Sequence, residues 1–330
     1  MAFKKSFGVV AALVVTVLGA SRTSPPSGSI TVCSSGCNYS TIQSAVSSIS
    51  TSSKDEHSIF IYSGTYTEQV TVPVLSGKLN IYGYTSDTSD YSGNVVNLQW
   101  KSALATGAAD DEHTAALINT SPNVAVYNIN IKNTYGKPTG SNGQAIALSA
   151  YNTEQGYYGV GLYGYQDTLL AQTGNQIYAN SYIEGAVDYI FGQHARVWIT
   201  NSKIVSTGVG AITASGRASS SDTSYYVITD STISGSGPAA GTVYLGRPWG
   251  AYARVAFQRC SLSSIINSAG WEVWSTSDTR TQDVTFGEYG NTGTGASGTR
   301  ASFSSKLSSA LSISTILGSD YAEWVDSAYL

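Results

Sequence analysis

VWITNSKI (197–204) decides the fold, because the chain repeats its pattern elsewhere. AVYNINI (125–131), IYANSYI (177–183), YVITDSTI (226–233) and VAFQRCSL (255–262) are built the same way. Each has an apolar stretch, a polar or turn-forming residue, a small or branched one, and an Ile or Leu shortly after. Anchored on Asn180, Asn201, Asp230 and Arg259, the steps are 21, 29 and 29 residues. A loosely kept repeat of this size predicts stacked coils, none of which closes a core alone. Unequal steps fit a single-stranded right-handed parallel β-helix, whose loops vary in length while its strands stay in register. A β-sandwich of short strands is the alternative.

The flanks agree with an all-β coil stack. Twenty-three Tyr and 34 Gly, with abundant Ser and Thr, leave few strong helix formers. One helix is signalled near the front, where Ser40 and Gln43 form an S-x-x-Q capping box. Ile42, Ala45, Val46 and Ile49 fall on its one apolar face. This helix is expected to cap the open end of the stack and block edge-to-edge pairing. At the other end GNTGTGASG (290–298) is the most flexible stretch. The tail beyond it carries Phe303, Leu307, Leu311, Ile313, Ile316, Leu317 and Trp324, and is expected to pack back along the coils. No internal linker stands out, so residues 21–330 read as one β-helix domain.

Residues 1–20 read as a secretory signal: Lys4 and Lys5, an apolar run from Phe7 to Leu18, then Gly19-Ala20. The run is too short to span a bilayer, and no later run is long enough. The protein is therefore expected to be exported, extracellular and free of any membrane. Removing the segment takes away two lysines and no acids, moving the formal charge from −4 to −6. With 12% charged residues this surface is sparse and mildly acidic, which excludes nucleic acid as a partner. A polymer whose acids are masked as esters is not repelled by it. Cys33, Cys37 and Cys260 are an odd count and no disulfide scaffold; any of the three pairings, or none, is open. Asn38-Tyr-Ser40 and Asn119-Thr-Ser121 match the glycosylation pattern, the second weakened by Pro122.

The chemistry is concentrated in GYQDTLLAQTGNQIYANSYIEGAVDYIFGQ (164–193), which has three acids and no Lys or Arg. Asp167 and Asp188 sit among residues that mean burial, where a lone charge is costly. Their separation of 21 residues is close to one coil, and neighbouring coils lie roughly 4.8 Å apart. The alignment is inexact, since Asp167 stands three residues past Gly164 and Asp188 eight past Asn180. Two carboxyls sharing a cleft cannot both ionise cheaply, so one pKa is expected to rise and the other to stay low. Each also has a structural alternative: a turn bond from Asp167 to the Thr168 backbone, and a strand cap by Asp188.

At these residues the chain resembles the pectin methylesterase (pectinesterase) family, most closely its secreted fungal members. Gly64-Thr-Tyr-Thr-Glu68, Gln144-Ala-Ile-Ala-Leu148, Gly164-Tyr-Gln-Asp-Thr168, Val187-Asp-Tyr-Ile-Phe-Gly192 and Leu245-Gly-Arg-Pro-Trp249 match five of its motifs in the family's order. The resemblance implies a right-handed parallel β-helix that hydrolyses C6 methyl esters of homogalacturonan to demethylated pectin and methanol. It implies that Asp188 is the nucleophile of an acyl-enzyme mechanism and Asp167 the general acid and then base. Gln144 and Gln166 would line the oxyanion site, and Arg247 would hold Asp188 ionised. Gln144 and Arg247, with Trp249 and Phe191, would contact substrate; each aromatic has an alternative as a buried β-helix side chain. Leu170 stands where bacterial members carry Tyr, which touches substrate contact rather than chemistry.

Such an enzyme is expected to work as a monomer on methyl-esterified pectin, without cofactor or metal. Two rivals remain: a pectin-chain-cleaving hydrolase on the same architecture, since paired aspartates also suit glycosidases, and a non-catalytic pectin-binding homologue. Other patterns carry less. Gly293-Thr-Gly295-Ala-Ser-Gly298 opens no helix and makes a poor nucleotide loop. Asp55-Glu-His57 and Asp110-Asp-Glu-His113 read as solvated acidic loops rather than cation sites. No G-x-S-x-G is present, and His194, expected near the cleft, has no serine partner.

Overall fold

The computed structural model describes residues 20–330, so the expected signal segment lies outside the described residues except for Ala20. From Ile30 the chain winds through three sheets of eleven, eight and seven strands. Their strand pairings are parallel throughout. This is a parallel β-helix; a sandwich would need antiparallel pairs.

The coil that starts at Thr173 shows how the sequence builds it. Thr173–Ala179 lies in the eleven-stranded sheet, Tyr182–Gly185 in the eight-stranded one and Ile190–Gly192 in the seven-stranded one. The next coil begins at His194. The turn-forming residue of each repeated run is a corner. Asn128, Asn180, Asn201, Asp230 and Arg259 all take φ between 49° and 52°. Asn and Asp tolerate this left-handed conformation better than other residues with a Cβ. Arg259 is held in it by a two-pronged ion pair with Asp230 of the previous coil, at 2.7 and 2.6 Å. The corner amides of Asn180, Asp230 and Arg259 donate to Thr200 O, Gln258 O and Tyr289 O one coil on. The closing Ile or Leu of each run then points inward: Ile131, Leu162, Ile183, Ile204, Ile233 and Leu262 stack in register and are buried.

Inside the eleven-stranded sheet a second ladder runs Ile59, Ile81, Val126, Tyr157, Tyr178, Ile199, Ile228, Phe257. All eight are at most 2% exposed, and the Tyr157 and Tyr178 rings stack at 4.9 Å. Burying each such side chain stabilises the stack by roughly 1.5–3 kcal/mol before conformational entropy is subtracted.

The front helix spans Ile42–Ser47 and buries Ile42, Ala45 and Val46, with Ile49 beside them in the main core. Its N-cap is Thr41 rather than Ser40: Thr41 Oγ1 accepts from Ser44 N. Gln43 does not reach back to close a capping box; its Oε1 accepts from Thr71 N. The Glu68 carboxylate instead takes the free amides of Ile42 and Gln43 at 2.8 and 2.9 Å. At the far end the tail packs on the outer face of the eleven-stranded sheet, as expected. Ile316, Leu317, Val325 and Tyr329 are buried there against Tyr127, Tyr158, Ile177 and Trp198.

Cys33 and Cys37 form a disulfide, and Cys260 is a buried free thiol. Cys260 falls in an inward ladder of small polar residues at the corner, where Ser181 N donates to Ser202 Oγ and Ser202 N to Ser231 Oγ. Burial pushes its thiol up to about 12, so it is inert. Asn119 is fully buried and donates to the Tyr157 hydroxyl, so the folded chain cannot present it for glycosylation. Asn38 is exposed.

Candidate active site

The seven-stranded sheet carries the site on its outer face. Ile118, Ser149, Leu170, Phe191, Ala214 and Arg247 stand side by side in register across six of its strands. Asp167 and Asp188 precede two neighbouring strands of that sheet. The pairings Gln166 with Val187 and Leu169 with Ile190 bracket them, so the aspartates are adjacent across one coil step. The inexact alignment in the sequence is resolved: the corner before Asp167 is Gly159, at φ 57°, eight residues back, as Asn180 is for Asp188. A glycine there hid the repeat.

Both aspartates are 7% exposed, and both have left-handed backbones, with φ 64° at Asp167 and 49° at Asp188. The strand-cap alternative does not hold for Asp188, whose two oxygens receive Arg247 Nε at 2.9 Å and Nη2 at 2.7 Å. This is a bidentate fork. Burial raises the proton affinity of both carboxyls. At Asp188 the fork opposes that rise, whereas at Asp167 the Asp188 charge adds to it, then that of Asp111. The expected division into one raised and one low pKa becomes an ordering: both lie above the usual range, and Asp167 is shifted further.

Gln144 and Gln166 adjoin the pair. Ala145 N donates to Gln166 O, which places the two glutamines on neighbouring coils. Gln144 Oε1 is buried without a partner, and the Gln144 backbone is held by Leu104 N. Trp249 is half-buried, its ring 6.1 Å from that of Phe191 at 54°. Gly216 makes this possible, since a Cβ there would lie 2.5 Å from the indole. Phe191 itself is 4% exposed, beneath Trp249, and Leu170 is 5% exposed. Of the predicted residues, the structure brings Asp167, Asp188, Gln144, Gln166 and Arg247 together, with Trp249 and Phe191 on the adjoining floor.

Sequence reasoning missed Trp274, whose ring lies 4.5 Å under the Arg247 guanidinium. It also missed Asp111, half-buried with its Oδ1 lacking a partner. The signal for Asp111 was hidden in a run that reads as a solvated loop. Glu68 serves the front helix rather than the site. His194 is 55% exposed and bonded to Asp222, not to either candidate carboxyl. A cavity of about 500 Å³ near the last coils, lined by Glu288, Tyr289, Arg300 and Lys306 among others, shares no residue with the carboxyl pair.

A parallel β-helix with two buried carboxyls of unequal proton affinity, one forked by arginine and both beside amide side chains, has the parts of a carboxyl-based hydrolase. The pectinesterase family model matches residues 29–311. A pectinesterase of Aspergillus aculeatus is 52% identical over 331 residues, covering 98% of this chain and 99% of its own. One of Aspergillus niger is 53% identical over 321 residues, covering 96% of each. The crystal structure of a pectin methylesterase from Aspergillus niger matches with a TM-score of 0.87 at 40% identity, covering 94% of this chain and 100% of its own. The chain belongs to the pectinesterase family and is a carboxylic ester hydrolase.

Proposed function

We propose that residues 21–330 form a secreted, monomeric pectinesterase that cleaves C6 methyl esters of homogalacturonan through an acyl-enzyme on Asp188. The observation that carries this is the in-register carboxyl pair in which only one member is forked by Arg247. That one, Asp188, is ionised first and attacks the ester carbonyl. The oxyanion that forms takes hydrogen bonds from the side-chain amides of Gln144 and Gln166, worth roughly 3–4 kcal/mol each when aligned. Asp167, which holds its proton more tightly, protonates the departing methoxide to methanol. The resulting Asp167 carboxylate then takes a proton from water as it attacks the acyl carbon, releasing the free acid and restoring Asp188. Trp249 offers its half-exposed ring to a sugar, and Phe191 supports it from below. Export is supported by the basic-apolar start of the chain and by the Cys33–Cys37 disulfide, which belongs to an oxidising compartment.

Purified protein on highly esterified pectin tests this. Methanol and free acid in equal amounts, without new reducing ends, are expected. New reducing ends would turn the assignment to chain cleavage, and binding without either product would leave a pectin-binding homologue.

A further inference from the structure

Trp274 lies against two guanidinium groups. Arg247 Cζ is 4.5 Å from its ring centroid and Arg280 Cζ 4.9 Å. Both guanidinium groups lie over the ring, within the range of a cation–π contact. The local chain is shaped to hold the stack. Trp274 N donates to Thr279 O and Ser275 N to Asp278 O, closing a turn. Arg280 takes φ 53°, an uncommon backbone for a long side chain. It is fixed there by Asp278, at 2.8 Å from its Nε, and by donation to Trp249 O.

We propose that Trp274 and Arg280 are positioning residues that clamp Arg247 in the plane where its fork meets both oxygens of Asp188. An unclamped guanidinium is free to turn about its last torsions and trade the fork for a single bond. A ring on its face removes that freedom in advance. The remaining charges around Arg247 are those of Asp188, Glu272 and Asp167, while Asp278 balances Arg280. The inference rests on Asp188 acting as the ionised nucleophile. Loss of methanol release in Asp188→Asn tests that separately.

The test is kcat and KM for methanol release, across pH, in full-length Trp274→Leu, Trp274→Phe and Arg280→Gln, with circular dichroism to confirm folding. For Trp274→Leu we expect kcat to fall roughly 10-fold and KM to move less than about 2-fold. Its acid limb should shift up by about half to one pH unit, since a looser cation lets Asp188 keep its proton. Trp274→Phe restores an aromatic face and should recover most of both effects. Arg280→Gln should move both in the same direction by less. A rise in KM at unchanged kcat would make Trp274 a sugar platform and overturn the proposal. An acid limb fixed in all three variants would overturn it too, as would a Trp274→Phe no better than Trp274→Leu. Should Trp274→Leu not fold, Trp274→Phe and Arg280→Gln decide by the acid limb alone.

Discussion

Replacing Arg247 by Gln removes the charge of the fork and leaves a neutral hydrogen-bonding side chain in its place. In the native site two charge-assisted bonds of 2.9 and 2.7 Å oppose the burial that lifts Asp188. A cation in such contact is worth about 1–3 pKa units, or roughly 1.4–4 kcal/mol. Without it, Asp188 stays protonated to a pH higher by that amount. On the acid side of its titration, kcat/KM should fall by about 10- to 1,000-fold and recover roughly tenfold per pH unit as pH rises. Stability should follow the same titration. The folded pKa of Asp188 in the variant lies further above its unfolded value, so stability is retained at acidic pH and lost as pH rises through the folded value. The assay is a pH series of methanol release beside thermal melts at each pH. A loss of rate equal at every pH, with no recovery toward neutrality, would refute the claim that Arg247 acts by ionising Asp188.

Three further outcomes follow from the same geometry. Gln144→Ala and Gln166→Ala should each lower kcat roughly 100-fold or more, and unchanged kcat in both removes the oxyanion assignment. Asp167→Asn should abolish turnover yet raise the melting temperature at neutral pH, because the raised folded pKa of Asp167 means that folding disfavours a carboxylate the unfolded chain forms freely. That gain should vanish below about pH 4, where the carboxyl is protonated in both states, and a melting temperature lowered at neutral pH would contradict the burial argument. Cys33→Ser with Cys37→Ser should cost about 2 kcal/mol or less, because the loop closed is only five residues. Denaturant titration reads it, and a loss of fold would show the pair to be more than a local clip.

The repeat was legible because it records two hard constraints: an inward Ile or Leu on each coil, and a corner that only a few residues tolerate. Asn180, Asn201 and Asp230 announce that corner by their chemistry. Gly159 satisfies it with no chemical signature, so the register between Asp167 and Asp188 looked wrong from the sequence although the spacing was right. The front helix was placed by its apolar face, but its cap was misassigned. The amides of Ile42 and Gln43 are taken by Glu68, more than twenty residues away in the chain, and local pattern cannot show that. Five candidate site residues were legible through short motifs whose members lie within a few positions of each other. Trp274 was not, because its role depends on a turn that folds it onto Arg247 and Arg280. The low Asp188 pKa foreseen from one nearby cation was incomplete for another reason: burial acts on both carboxyls, and only packing reveals how much.

The isosteric change Asp188→Asn keeps the shape of the site and removes the group on which the mechanism turns. Methanol release from esterified pectin should fall roughly 1,000-fold or more, with the fold intact by circular dichroism. Turnover within about tenfold of the unaltered protein would mean that another group attacks the ester, and the division of labour between the two carboxyls would be wrong.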